Sequence, residues 1–179
     1  FDNLVMTPEG TKSGIRSAIN LYLDQMLIDG WDLKDNTGEC EKGKWDCELS
    51  RYQLCGQAID TSDDLSWWDF SRCLYKHQAS MIDYYWYDGT TSPALMTSVA
   101  PECATESGLD YDALVSCVDE EGVDLLKESW KRIGGMSDPV WIYVNGQRID
   151  YHQDWLATIC AAVSARGYSV DECDFYADV

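Results

Sequence analysis

The sequence lacks what would place it across a membrane or along nucleic acid. No segment approaches the roughly 20 continuous apolar residues needed to span a bilayer. Basic residues are scarce: 13 Lys and Arg stand against 32 Asp and Glu, a net charge of −19. A field of that sign repels phosphate backbones and anionic lipid, so no nucleic acid and no bare membrane surface is expected as a partner. Only two histidines occur, His77 and His152, and neither is read as having a metal-ligating neighbour at helical spacing. There is no CxxC or CxxH pair, which argues against a zinc site. A GxSxG elbow and a phosphate loop are also missing, so no metal, no cofactor and no standard catalytic set is expected. No Asn-x-Ser/Thr acceptor for N-glycans is present. The opening Phe1-Asp2-Asn3-Leu4 lacks a basic stretch followed by an apolar one, so no signal peptide is read there. Without a starting Met, the sequence is expected to begin downstream of a processed segment.

What is present describes a folded, cross-linked chain. Apolar residues make up 45% of 179 positions, and a chain of this length buries roughly 70% of its unfolded surface. The expectation is a single domain over 1–179. Eight cysteines, Cys40, Cys47, Cys55, Cys73, Cys103, Cys117, Cys160 and Cys173, suggest four disulfides and an extracytoplasmic, oxidising compartment. Lysosome, endoplasmic reticulum, thylakoid lumen and extracellular space all satisfy that argument.

Apolar periodicity sets out the elements. Leu4-Val5-Met6 reads as a short strand, and Ile15, Ile19, Tyr22, Leu23, Met26 and Leu27 recur as one helix face ending at Gly30. From Trp31 to Cys55 the sequence is polar with Asn and Gly turn signals, and a compact stapled region is expected there. Trp67, Trp68 and Phe70 fit the core face of a helix running into Cys73. A helix cannot bury four neighbours at once, so the run Tyr84, Tyr85, Trp86 and Tyr87 is a candidate partner-facing loop. Leu109, Ala113, Leu114, Cys117 and Val118 recover helical spacing with Asp110 as a cap. Val123, Leu126, Trp130 and Ile133 continue on a second helical segment. Val140–Val144 reads as a buried strand, Asn145-Gly146 as a two-residue hairpin turn, and Arg148-Ile149 as the return strand. Trp155, Leu156, Ile159, Cys160 and Val163 form a last amphipathic helix stopped near Gly167.

The order of strand, helix, cysteine-rich excursion, helices and Pro-strand-hairpin-helix suits an α/β thioredoxin-like sandwich. Residues 31–135 would be a disulfide-stapled, helical and loop insertion in it. The cysteine spacing is more specific. Cys40-x2-Gly43-x3-Cys47-x7-Cys55 resembles the signature segment of the gamma-interferon-inducible lysosomal thiol reductase family. That family usually has Asn where this chain has Ser50, and Gln-His where it has Glu41-Lys42. Cys73, Cys103, Cys117, the stretch Asp138-Pro139-Val-Trp-Ile-Tyr-Val-Asn145-Gly146, and Cys160 with Cys173 follow in family order. By this resemblance Pro139 takes the place of the cis proline that faces a thioredoxin active site.

The departures matter as much. The family's redox centre is a CxxC at the turn between first strand and first helix, where the helix N-terminus stabilises the attacking thiolate. Here no cysteine precedes Cys40. Aligning the helices puts Lys12 and Ile15 where the two cysteines belong, and a shift of register puts Pro8 and Thr11, or Gly10 and Ser13, there. None of these side chains forms a mixed disulfide. Lys12 at a helix N-terminus calls for a counter-charge, and Asp138 beside Pro139 is expected to supply it. Only about ten residues separate the first helix from Cys40, where the family has a full second strand.

The resulting expectation is a non-catalytic relative of that family. It would act as a binding or structural subunit of a lumenal or extracellular assembly. Its protein partner would offer a basic docking face or belong to a membrane-associated complex. A thiol–disulfide oxidoreductase using another cysteine pair is the first alternative, and a secreted ligand carrier the second. For the staples, Cys103–Cys117 and Cys160–Cys173 each bracket a local turn; Cys40–Cys47 and Cys55–Cys73 are the natural remainder.

Overall fold

The computed structural model describes residues 44–62, 65–77, 98–133, 142–150 and 152–176. The chain divides into two compact units, one of Tyr22–Met136 and one of Phe1–Leu21 with Ser137–Val179. The described residues are predominantly helical, with one two-stranded sheet. The α/β expectation therefore holds only in its coarse form, as helices together with a short sheet. The strand at 4–6 and the helix at 15–27 lie outside the described residues, as does the turn around Pro139.

In the first unit, helix α1 spans Lys44–Ile59. The region through Cys55, expected only as compact and stapled, is a regular helix from Lys44 onward. From Cys47 to Cys55 every residue except Arg51 is buried, because α1 packs against three other helices of its unit. A helix covered on several sides carries no single apolar stripe, so the period that betrays a surface helix is missing. On this helix Arg51 and Glu48 form an ion pair one turn apart.

Asp60 both closes α1 and opens helix α2, Ser66–Lys76. Its backbone N–H donates to Gly56 O at 3.2 Å. Its carboxylate accepts from the Ser62 N–H at 2.9 Å and, seven residues on, from the Trp67 N–H at 2.9 Å. That last bond satisfies one orphan donor of the α2 N-terminus. Trp67, Trp68 and Phe70 are buried as the spacing predicts. The two indoles meet edge to face, with ring centroids 5.6 Å apart.

Helix α3, Ala100–Ser107, starts with Pro101 in its first turn and stops at Gly108, whose φ of 78° a side chain would resist. Helix α4 spans Tyr111–Glu120, and α5 spans Gly122–Ile133. Asp110 caps α4 as expected, accepting from the N–H groups of Asp112 at 3.0 Å and Ala113 at 3.1 Å. Asp110→Ala is expected to lower thermal stability by about 1 kcal/mol and Asp110→Asn by a few tenths, since Asn caps nearly as well. Denaturant melts of the two variants check this.

The main core lies among these helices, with Phe70, Leu74 and Leu114 fully buried together with Cys55 and Cys103. A smaller cluster joins Cys47 and Leu54 to Leu126, with Trp130 packed against it. Gly56 permits the close approach of α1 and α2: a Cβ there would stand 3.1 Å from Phe70 Cδ1.

In the second unit, strands β1, Ile142–Val144, and β2, Gln147–Ile149, pair antiparallel with Ile142 opposite Ile149. Asn145 and Gly146 turn the hairpin with φ of 51° and 80°, the positive pair that Asn-Gly supplies at low cost. The buried strand expected at 140–144 is corrected in part: Tyr143 is 47% exposed, while Ile149 on the return strand is buried. Tyr143 and its cross-strand partner Arg148 are both exposed, so their face of the hairpin meets solvent. Helix α6, Trp155–Ser164, is capped by Asp154, which accepts from Ala157 N–H at 3.0 Å. A 3₁₀ turn, Asp171–Tyr176, follows. No described helix is long and apolar enough to cross a membrane.

Candidate functional site

Most residues singled out in the sequence lie outside the described residues. These are Lys12, Ile15, Asp138 and Pro139 of the degenerate redox turn, the aromatic run Tyr84, Tyr85, Trp86 and Tyr87, and Cys40. The expected Lys12–Asp138 ion pair and Cys40–Cys47 bridge fall with them. The other cysteines do not: Cys47, Cys55, Cys73, Cys103, Cys117, Cys160 and Cys173 are all described and all disulfide-bonded.

The pairing corrects half of the connectivity drawn from sequence. Cys160–Cys173 is found, joining α6 to the 3₁₀ turn with Cα atoms 5.3 Å apart. The expected Cys103–Cys117 and Cys55–Cys73 are not. Cys55 bonds Cys117 across α1 and α4, and Cys73 bonds Cys103 across α2 and α3, with Cα separations of 5.7 and 5.5 Å. The reason is helix packing. A disulfide needs Cα atoms within about 7 Å, and antiparallel or crossing neighbours meet that more readily than two ends of a local segment. The Cys73–Cys103 bond is thus nested inside the loop closed by Cys55–Cys117.

The Cys73–Cys103 bond is where chemistry gathers. His77 follows Cys73 by one helical turn and forms the C-terminal cap of α2, its N–H donating to Cys73 O and Leu74 O. A ring nitrogen of His77 and the two sulfurs lie within 4.8 Å of one another. Glu106, one turn beyond Cys103 on α3, brings Oε2 to 3.6 Å from Cys73 Sγ. A disulfide sulfur has no proton to give, so this is an approach of two acceptors rather than a hydrogen bond. Both cysteines are buried, His77 is half-buried and Glu106 is exposed. The expectation that His77 stands without a metal-ligating neighbour is therefore corrected. The signal that could have found it is Cys73-x3-His77, an i, i+4 pair on one helix face. Cys73, His77 and Cys103 are the one such ligand group among the described residues.

A second polar feature lies in the core. The Tyr52 phenol is pushed well above its ordinary value of 10.0, first by burial and then by the hydrogen-bonded Tyr111 beside it, with Glu48 and Asp119 adding negative charge. A raised folded value stabilises the protein fully below the unfolded pKa and loses that contribution as pH rises above about 10. Wild type is expected to lose stability with rising pH through that range, and Tyr52→Phe to flatten the loss. Chemical denaturation at stepped pH reads this.

Comparison with protein-family models, curated proteins and solved structures gives no match to this chain.

Proposed function

We propose that the chain is a non-catalytic relative of the gamma-interferon-inducible lysosomal thiol reductases, reused as a binding or structural subunit in an oxidising lumen or outside the cell. On this reading a thioredoxin-like framework carries the disulfide-stapled helical unit as an insertion. The observation that carries the reading is the state of the cysteines. All seven described cysteines are tied up in disulfides, and the four joining the helices are at most 7% exposed. Thiol–disulfide exchange needs an accessible thiolate, and the CxxC that supplies it in the family is missing from the sequence.

The net charge of −19 supports a partner that offers a basic face. The aromatic run Tyr84–Tyr87 is the proposed contact segment, because Tyr and Trp dominate interface hot spots. Insulin reduction with dithiothreitol as electron source tests the reading. The expected rate equals that of dithiothreitol alone. Acceleration that survives Cys160→Ala/Cys173→Ala but is lost in Cys73→Ala/Cys103→Ala would replace it with an oxidoreductase using a non-standard pair.

A further inference from the structure

The corner where α2 meets α3 holds more donor chemistry than a structural disulfide needs. Cys73 and His77 project from one turn of α2, and Cys103 and Glu106 from one turn of α3. Their sulfur, nitrogen and carboxylate atoms converge from two helices, with the three Cys and His ligand atoms mutually within 4.8 Å and the carboxylate 3.6 Å from Cys73 Sγ. Ligand atoms around a tetrahedral zinc ion sit roughly 3.3–3.8 Å apart, given bonds of about 2.0–2.3 Å. Closing the cluster on a cation thus takes side-chain movement of about an ångström, with the helices in place. The Glu106 approach is unfavourable while both partners are acceptors and becomes favourable once a cation lies between them.

We propose that reduction of the Cys73–Cys103 disulfide turns this corner into a zinc-class metal site, with Cys73, Cys103 and His77 as ligands and Glu106 or a water completing the tetrahedron. The reductant is a small dithiol, compact enough to reach the buried bond from the side of half-buried His77 and exposed Glu106, where a protein substrate is kept out. It delivers two electrons and two protons to the Cys73–Cys103 bond, leaving two protein thiols, and is itself oxidised to a cyclic disulfide. Zn²⁺ then displaces both thiol protons to solvent. Two thiolates and a neutral imidazole balance the charge of the ion, which suits a pair of buried sulfurs. A hydrated cation reaches the cluster from the side of half-buried His77 and exposed Glu106. Imidazole with thiolate selects Zn²⁺ over Ca²⁺ or Mg²⁺, which prefer all-oxygen shells. The inference goes beyond the non-catalytic reading and does not need it, because binding a metal after reduction is separate from passing electrons to a substrate.

The test uses the full chain, reduced anaerobically with a phosphine, freed of reductant and titrated with Co²⁺ as a spectroscopic stand-in for Zn²⁺. The expected result is one Co²⁺ per chain, with thiolate-to-cobalt charge-transfer and tetrahedral d–d absorption, displaced by Zn²⁺. The oxidised chain should give neither signal. His77→Ala, which leaves every disulfide intact before reduction, should weaken binding at least ~10-fold, and Cys55→Ser/Cys117→Ser should keep the signal. An unfolded reduced chain binding through scattered thiols would titrate alike with or without His77. That result, an unchanged signal in Cys73→Ser/Cys103→Ser, or no binding at all would each overturn the proposal. None of them alters the insulin result, so failure here is distinguishable from failure of the proposed function.

Discussion

Replacing Cys55 and Cys117 together by alanine is expected to lower stability by about 3–4 kcal/mol, and replacing Cys73 and Cys103 to lower it by nearly the same amount. The near-equality is the informative part, because the sequence separations are 62 and 30 residues. Taken one at a time, loop-closure entropy assigns about 4.3 kcal/mol to the longer loop and about 3.6 to the shorter. The loops are nested, however. With Cys73–Cys103 closed, the path from Cys55 to Cys117 in the unfolded chain is cut to roughly half its length and its closure is worth about 3.7 kcal/mol. With Cys55–Cys117 closed, the inner closure falls to about 3.1 kcal/mol, so nesting lowers both values and keeps the gap below about 1 kcal/mol. All four sulfurs are buried, so the packing lost with each pair is similar too. Denaturant unfolding of the two double variants measures both values, and each should show a steeper denaturant dependence as its unfolded state expands. A gap above about 1 kcal/mol between the pairs would mean that the bonds act on the native state rather than through the unfolded chain.

Phe70→Ala is expected to cost about 3–5 kcal/mol, and Phe70→Leu under about 1.5. Phe70 is fully buried at the centre of the main cluster, and its ring lies against Gly56 of α1. Glycine has no side chain to swing into the vacated space, so the cavity left by alanine collapses poorly. That places the expected cost toward the upper part of the range for large-to-small changes. Thermal unfolding followed by near-ultraviolet circular dichroism reads both variants, with the neighbouring Trp67 and Trp68 as reporters. A loss below about 2 kcal/mol for the alanine variant would show that α1 and α2 close the gap.

Elements with one apolar face could be read from sequence, and those covered on several sides could not. Helices α2, α4, α5 and α6 each bury a stripe at helical spacing, and Asn145-Gly146 announced its hairpin, since few other pairs accept two positive φ values. Helix α1 was hidden because its packing against three neighbours erases the stripe, and because Glu48, Ser50, Arg51 and Gln53 make its text polar. The cap of α2 was hidden for a different reason: Asp60 reaches it across a loop, seven residues away, where capping rules look for an adjacent residue. Disulfide pairing failed where it leaned on nearness in sequence. Cys160–Cys173 was legible because one local turn joins its two elements, whereas Cys55, Cys73, Cys103 and Cys117 pair by the packing of four helices. His77 was passed over because a metal site was sought as CxxC or CxxH, while a helix presents its ligands at a spacing of four. The reductase-like spacing from Cys40 to Cys55 remains the feature on which the family proposal rests.

The account turns on which cysteines are bonded and to which partners. Non-reducing peptide mapping of the native chain, with thiols blocked by iodoacetamide under denaturing conditions beforehand, tests it most directly. The expected result is cross-linked peptides joining Cys55 to Cys117, Cys73 to Cys103 and Cys160 to Cys173, with no alkylated cysteine at these positions. Peptides joining Cys103 to Cys117 or Cys55 to Cys73, or alkylation at any of these six positions, would contradict it.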